Sequence, residues 1–162
     1  MLTRLTVKDY VLIDRLELDV ERGFTVLTGE TGAGKSIVLG AIGLILGGRA
    51  DIASIKVGAS KADIAAEFEI SALTHVLSFL ENADLDTEAC VLRRAVDATG
   101  RSRAWINGVP VTVKQLKEIG ALLVDIHGQH EHYSLMDSRS HSRVLDSFGN
   151  LIEATSDLKP IW

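Results

Sequence analysis

Apolar and polar residues alternate from the first positions of the chain: Leu2, Leu5 and Val7, then Ile13, Leu16, Leu18 and Val20. Alternation of this kind turns successive side chains to opposite faces, so it predicts two half-buried strands. Gly23 marks a turn, and Phe24-Thr25-Val26-Leu27 reads as a third, more deeply buried strand leading into a glycine-rich stretch. From Lys35 to Leu46 the chain is apolar almost all round, which predicts a helix buried inside the fold. Gly47-Gly48 stop that helix as a C-cap pair.

Further along, Ala62 to Ile70 predicts another strand, while Leu73, Val76, Leu77 and Leu80 recur at helical spacing. Cys90 to Val96 and Ala104 to Ile106 read as strands joined by a polar turn from Asp97 to Arg103. Asn107-Gly108 is a strong turn signal before Val109 to Val111. Thr112 is placed to cap the next helix, with Gln115 completing a capping box. Leu122 to Ile126 is expected to be a compact strand and Ser138 to Phe148 a helix, after which Leu151 to Trp162 has mixed polarity and a Pro160. There is no internal repeat or low-complexity tract. This order predicts an α/β domain with an antiparallel β portion, rather than regular βαβ alternation.

Composition narrows the picture only a little. At 162 residues, 46% hydrophobic and 24% charged, the chain suits one ordinary globular domain. Cys90 is the sole cysteine, which excludes a disulfide framework, suits a reducing compartment, and reads as a buried strand residue. MLTRLTVKDY has charges where a signal peptide needs an apolar core, and Ile37 to Leu46 is too short to span a bilayer. A cytoplasmic protein with no membrane partner is expected. The formal net charge of −5 argues against bulk attraction to nucleic acid, so any such contact has to be local.

The candidate chemistry lies in Gly29-Glu30-Thr31-Gly32-Ala33-Gly34-Lys35-Ser36, which matches G-x-x-x-x-G-K-[ST] at every fixed position. Glycines allow a tight turn whose N–H groups point at phosphate oxygens, and the following helix adds the positive end of its dipole. Lys35 would reach the β- and γ-phosphates, the Ser36 hydroxyl would ligate Mg²⁺, and the cradle would end at Ile37. Average composition gives such a match by chance in roughly one chain of this length in two hundred. ATP with Mg²⁺ is therefore the expected ligand.

The motifs around the loop point further. LTVKDYVLIDRLELD, FTVLTGETGAGKS and AIGLILGGRAD, followed by LRRAV, GRSRAWINGVPVT and LLVDIHGQHEH, resemble in this order the RecN family of bacterial DNA repair ATPases, relatives of the SMC proteins. The resemblance covers Met1 to Gly149 and implies the N-terminal lobe of an ABC/SMC-type P-loop NTPase head, with residues 150–162 beginning a coiled coil. By that resemblance Gln129 is the glutamine-loop residue, touching Mg²⁺ and the attacking water. Tyr10 and its neighbours fall where related heads contact the adenine side. Lys56 stands where relatives often carry an arginine linked to DNA-stimulated hydrolysis; a lysine keeps the charge but loses the bidentate fork.

The same resemblance implies a C-terminal lobe carrying the signature motif and the catalytic Asp-Glu, and a homodimer of heads that sandwiches ATP. It also implies DNA as a partner of the whole protein and a place on the nucleoid during repair. No S-G-G-x signature is found here: Leu46-Gly47-Gly48 comes nearest, and no apolar run ends in Asp-Glu. On this reading the chain binds ATP but turns it over poorly by itself.

Two other function classes stay open from the residues alone. Leu122-Leu123-Val124-Asp125 has the pattern of a strand ending in a Mg²⁺-binding aspartate, which would make the chain a self-contained small kinase or NTPase. Alternatively nucleotide acts only as a dimerisation switch on a non-catalytic module. His127, His130 and His132 with Glu131 match no standard metal spacing and read as residues shaping the loop around Gln129. Arg93, Arg94, Arg101 and Arg103 form one basic cluster, read either as a DNA-phosphate contact or, for the last two, as the solvated flank of a hairpin turn. Trp105 reads as a strand-packing residue.

Overall fold

The computed structural model describes residues 1–28 and 34–124, together with Leu145 and Gly149. The chain divides into two compact units, Met1–Asp125 and Ile126–Trp162, and the elements below belong to the first. They are strands β1 (Leu2–Tyr10), β2 (Ile13–Asp19), β3 (Lys61–Phe68), β4 (Cys90–Asp97), β5 (Ser102–Ile106) and β6 (Val109–Val111), and helices α1 (Lys35–Ile45), α2 (Thr74–Asn82) and α3 (Val113–Leu123). A short 3₁₀ turn covers Ile52–Ser54.

The strands form one six-stranded sheet in the order β2-β1-β3-β4-β5-β6, with every pairing antiparallel. The period-two pattern sorts its faces. Leu5 and Val7, then Ala62, Ile64, Ala66 and Phe68, then Cys90, Leu92 and Val96, then Ala104 and Ile106 are buried on the inner face. Val38, Ala41, Leu44 and Ile45 of α1, Val76 and Leu80 of α2, and Leu116 and Ile119 of α3 complete the same core. Full burial of a side chain such as Leu92 stabilises the fold by roughly 1.5–3 kcal/mol.

Local signals predicted from sequence are present in detail. Asn107 (φ 49°) and Gly108 (φ 79°) make the two-residue turn between β5 and β6, both in the left-handed region that this turn demands. The Asn107 side chain also accepts from the Val91 N–H at 2.7 Å and donates to the carbonyls of Asp86 and Ala89, both at 2.7 Å. It therefore ties the turn to the start of β4. Thr112 caps α3 with the full reciprocal box: its hydroxyl accepts from the Gln115 N–H at 3.2 Å, and the Gln115 side chain accepts from the Thr112 N–H at 3.0 Å. At the end of α1 the Gly48 N–H reaches Gly43 O at 2.9 Å and the Gly47 N–H reaches Leu44 O at 3.2 Å, the two bonds of a Schellman cap.

Three expectations are corrected. Phe24–Leu27 forms no strand: Phe24 is 94% exposed, Val26 64% and Leu27 45%. A strand needs a neighbouring ladder for its N–H and C=O groups, and β2 and β6 close the edges of the sheet without it. The helix α1 is buried on one side only, with Leu39 54% exposed, because the sheet covers just its Val38–Ala41–Leu44–Ile45 face. Leu122 and Leu123 end α3 rather than start a strand, and extended backbone begins at Val124 (φ −142°, ψ 134°). They continue the helical spacing of Leu116 and Ile119, which a short apolar run cannot reveal by itself. Asp125 and Ile126 lie outside the described residues. So does the helix expected over Ser138–Phe148, apart from helical Leu145, whose carbonyl accepts from the Gly149 N–H at 2.9 Å.

Helix α3 meets the cap that follows α1 at backbone contact. A Cβ on Gly47 (φ 91°) would stand 2.6 Å from Lys117 Cβ, and one on Gly120 would stand 3.0 Å from Leu46 O. Gly43, in the middle of α1, meets nothing within 4 Å. Gly47→Ala should therefore destabilise the protein by about 2–4 kcal/mol. Gly43→Ala should stabilise it by about 0.5–1 kcal/mol, as removal of an unconstrained helix glycine does. Urea unfolding of the two variants checks both signs.

Candidate nucleotide site

Helix α1 begins where the glycine-rich motif ends. Gly34 is its N-cap residue at φ 135°, ψ −35°, a conformation that excludes other side chains through its dihedral, since the space around it is open. The Gly34 carbonyl accepts the first helical bond from Val38 N–H at 2.9 Å. No side chain caps this end and no acidic residue lies in its first turn. Among the described residues its N–H groups thus meet no competing carboxylate there, and the helix dipole presents a positive end. Lys35, half-buried, and Ser36, exposed, stand on that first turn beside Ile37. An amine, a hydroxyl and backbone N–H donors form a donor set suited to an anion that carries its own divalent cation.

The remaining loop residues Gly29, Glu30, Thr31, Gly32 and Ala33 lie outside the described residues, as do Asp125, Gln129, His127, His130, Glu131 and His132. Among the described residues no group of three or more His, Cys, Asp or Glu side chains is arranged to hold a metal.

Tyr10 is buried at 7% exposure, and its hydroxyl lies 3.0 Å from where a Cβ on Gly40 would stand. It packs against the middle of α1, and burial raises its phenol pKa above the ordinary value. The β1–β2 connection beside it is strained: Val11, a β-branched residue, has φ 50°. It is held there by a bond from Val11 N–H to Ser54 O at 2.7 Å, while the Lys56 N–H donates to Asp9 O at 3.0 Å. Lys56 also forms an ion pair with Asp14 across this junction. Cys90 is buried, and desolvation pushes its thiol up to about 11, as an inert core cysteine requires.

The expected basic cluster is split by the pleat. Arg93 points outward, bonds Asp63 through two contacts at 2.8 and 2.6 Å, and lies 5.1 Å from the Trp105 ring centroid. Arg94 points inward and is 3% exposed, with bonds to Leu44 O, Gly48 O and Ser102 Oγ. Neighbouring strand residues face opposite sides, so the two arginines do not form one patch. Arg101 and Arg103 are exposed on the β4–β5 hairpin. The sequence reading misses the role of Arg94, yet a signal is present: it shares parity with Cys90, Leu92 and Val96 on one strand.

An antiparallel sheet backed by a helix that starts at a glycine-capped phosphate motif defines the head fold of SMC-type P-loop NTPases. A family profile described as an AAA domain matches residues 4–146, and the chain belongs to that family. The chain is similar to DNA repair protein RecN of Xylella fastidiosa, with 45% identity over 149 residues, covering 91% of this chain and 27% of that protein. It is also similar to RecN of Bacillus subtilis, with 42% identity over 161 residues, covering 98% of this chain and 28% of that protein. The resemblance carried by the motifs is thus borne out, and the chain spans about 27% of the length of the RecN of Xylella fastidiosa.

Among solved structures, a chain from work on ATP-driven dimerisation and DNA-stimulated activation of SMC ATPases superposes with a TM-score of 0.66 at 25% identity, covering 94% of this chain and 97% of that one. An SMC head bound to the C-winged helix domain of ScpA gives a TM-score of 0.65 at 25% identity, covering 79% of this chain and 42% of the other. The recombination mediator RecF with ATP shares the fold, with a TM-score of 0.55 at 18% identity over 76% of this chain and 30% of that one. Among the described residues no helix is long and apolar enough to cross a membrane.

The outer-face pair has a definite pH dependence. Burial pushes the Asp63 carboxyl up, but hydrogen bonds from Arg93 and Lys61 outweigh it and hold the group below its ordinary value. A depressed carboxylate stabilises the fold above the unfolded pKa of about 4, and that contribution is lost as pH falls through the lower folded value. Asp63→Asn should therefore cost about 0.5–1 kcal/mol at pH 7, and the gap should narrow on acidification to about pH 3. Urea unfolding at the two pH values measures it.

Proposed function

We propose that this chain is the ATP-binding lobe of a RecN-like, SMC-family ATPase. The observation that carries the reading is the GETGAGKS motif meeting α1 at Gly34, with Lys35 and Ser36 on the uncapped first turn. In this reading the loop N–H groups from Gly29 to Ile37 cradle ATP, Lys35 neutralises the outer phosphates and Ser36 holds Mg²⁺. Gln129 completes the coordination and orients the attacking water. Mg²⁺, when bound, supplies charge neutralisation of the phosphates; the chain's own residues bind and orient.

The lobe acts with a second one. The exposed apolar Phe24, Val26, Leu27 and Leu39 support a partner surface that includes the side of α1 turned away from the sheet. That partner is a C-terminal ATPase lobe supplying the signature motif and catalytic Asp-Glu, so the chain alone turns over slowly. Residues 1–149 form the lobe, and residues 150–162 open a coiled coil. ATP gates engagement of two heads, and the whole protein uses that cycle on DNA during double-strand break repair and recombination in the bacterial cytoplasm.

The reading is tested by titrating ATP with Mg²⁺ into wild type and Lys35→Ala by calorimetry. Loss of a charge-assisted phosphate contact should weaken binding by at least about tenfold. Equal affinities would overturn the site. Turnover should stay low for the chain alone and rise when the C-terminal lobe is added in trans. Sustained turnover by the chain alone, abolished in Asp125→Asn, would instead identify a self-contained NTPase.

A further inference from the structure

Arg94 is the one charged side chain buried in the described core. No carboxylate among the described residues pairs with it. Taking a guanidinium out of water is expensive, and an apolar side chain of similar volume would fill the space at lower cost. What the guanidinium does that methionine cannot is bond several fixed acceptors at once. Its Nη1 donates to Leu44 O at 2.9 Å and Gly48 O at 2.7 Å, and its Nε donates to Ser102 Oγ at 2.9 Å. The first two acceptors are carbonyls at the C-terminal end of α1. The third belongs to the β4–β5 hairpin.

The other end of α1 is the phosphate end, at Gly34, Lys35 and Ser36. A helix of this length behaves as a short rod, so an error at one end is carried to the other. Other supports touch the rod: its Val38–Ala41–Leu44–Ile45 face in the core, Tyr10 against Gly40, and α3 against Gly47 in the cap that follows it. These are packing contacts without a preferred bond direction. Arg94 alone among them holds the helix by directional bonds to its backbone.

We propose that Arg94 is a positioning residue of the nucleotide site, fixing the rotation and axial place of α1 on the sheet and hence the aim of its first turn at the phosphates. The proposal rests on the phosphate-site reading above. The cation also lies at the negative end of the α1 dipole, where its charge adds to the positive potential that the opposite end presents to an anion.

The test is calorimetric titration of Mg·ATP into wild type, Arg94→Met, Arg94→Lys, Ser102→Ala and Lys35→Ala. Each is held at a temperature where its own melting curve shows it fully folded. A role confined to stability leaves the Kd of the folded protein unchanged, however far the melting point falls. Positioning should raise Kd by about tenfold or more in Arg94→Met and about twofold to threefold in Ser102→Ala. Arg94→Lys, which keeps the charge but not the fork, should recover part of the loss. Wild-type affinity in folded Arg94→Met overturns the proposal. Where Arg94→Met does not fold, Ser102→Ala decides: weakened binding supports the assignment and unchanged binding overturns it. Lys35→Ala separates the two levels, since wild-type affinity there removes the phosphate site itself. Loss in Lys35→Ala alone removes only the role of Arg94.

Discussion

A guanidinium buried without a carboxylate has to find its acceptors in the backbone, and in this fold the end of α1 supplies them. A carbonyl has two lone pairs, so Leu44 O, which already accepts from the Gly47 N–H of the cap, can also take a bond from Arg94, and Gly48 O just beyond the helix takes a second. The arrangement needs room on the inner face of the sheet. Arg94 stands directly opposite Ala104 on one neighbouring strand, and Ala62 and Ala66 flank its partner Ile64 on the other. It also needs a helix end that turns sharply enough to present two carbonyls to one nitrogen, which the Gly47-Gly48 cap provides. The small residues of β3 and β5, the glycine pair and the buried cation are parts of a single junction.

That junction has a third member in α3. α3 meets the cap after α1 so closely that Gly47 leaves no room for a Cβ and Gly120 leaves little, so the C-terminal end of α1 is held against both the sheet and α3. Tyr10 adds a contact near the helix centre and brings with it the strained β1–β2 connection. The outer face of the same sheet is organised differently. There Asp63, Lys61 and Arg93 pair in partial contact with water, and Arg93 lies over Trp105. Such pairs are individually weak and trim the surface, whereas the inner arginine is bonded to main chain. Adjacent residues of one strand thus serve unrelated ends.

Features governed by a few neighbouring residues are legible in the amino-acid order alone. Asn107-Gly108 can only be a tight turn, Thr112 with Gln115 a capping box, and Gly47-Gly48 a helix stop, because each depends on local dihedrals and local hydrogen bonds. The phosphate motif is of this kind, and so is the start of α1 directly after it. The departures from expectation share a cause. Phe24–Leu27 is apolar enough for a buried strand, but strand formation depends on a partner ladder that no local pattern encodes. Leu122-Leu123 is an apolar run that suits either element, and contact with the core makes it the last turn of a helix.

By itself the sequence determined the six strands and three helices of the described residues, though with two strands too many, together with the α/β class with its antiparallel portion, the phosphate motif and the family resemblance, since these reside in short-range pattern and residue identity. The tertiary structure decided which face of α1 is covered, which of two adjacent arginines enters the core, and where three separate segments meet at the end of the helix. Burial, hydrogen-bond partnership and backbone approach are properties of residues distant in sequence, such as Arg94 with Leu44 and Gly47 with Lys117. They come into being only when the sheet closes against its helices.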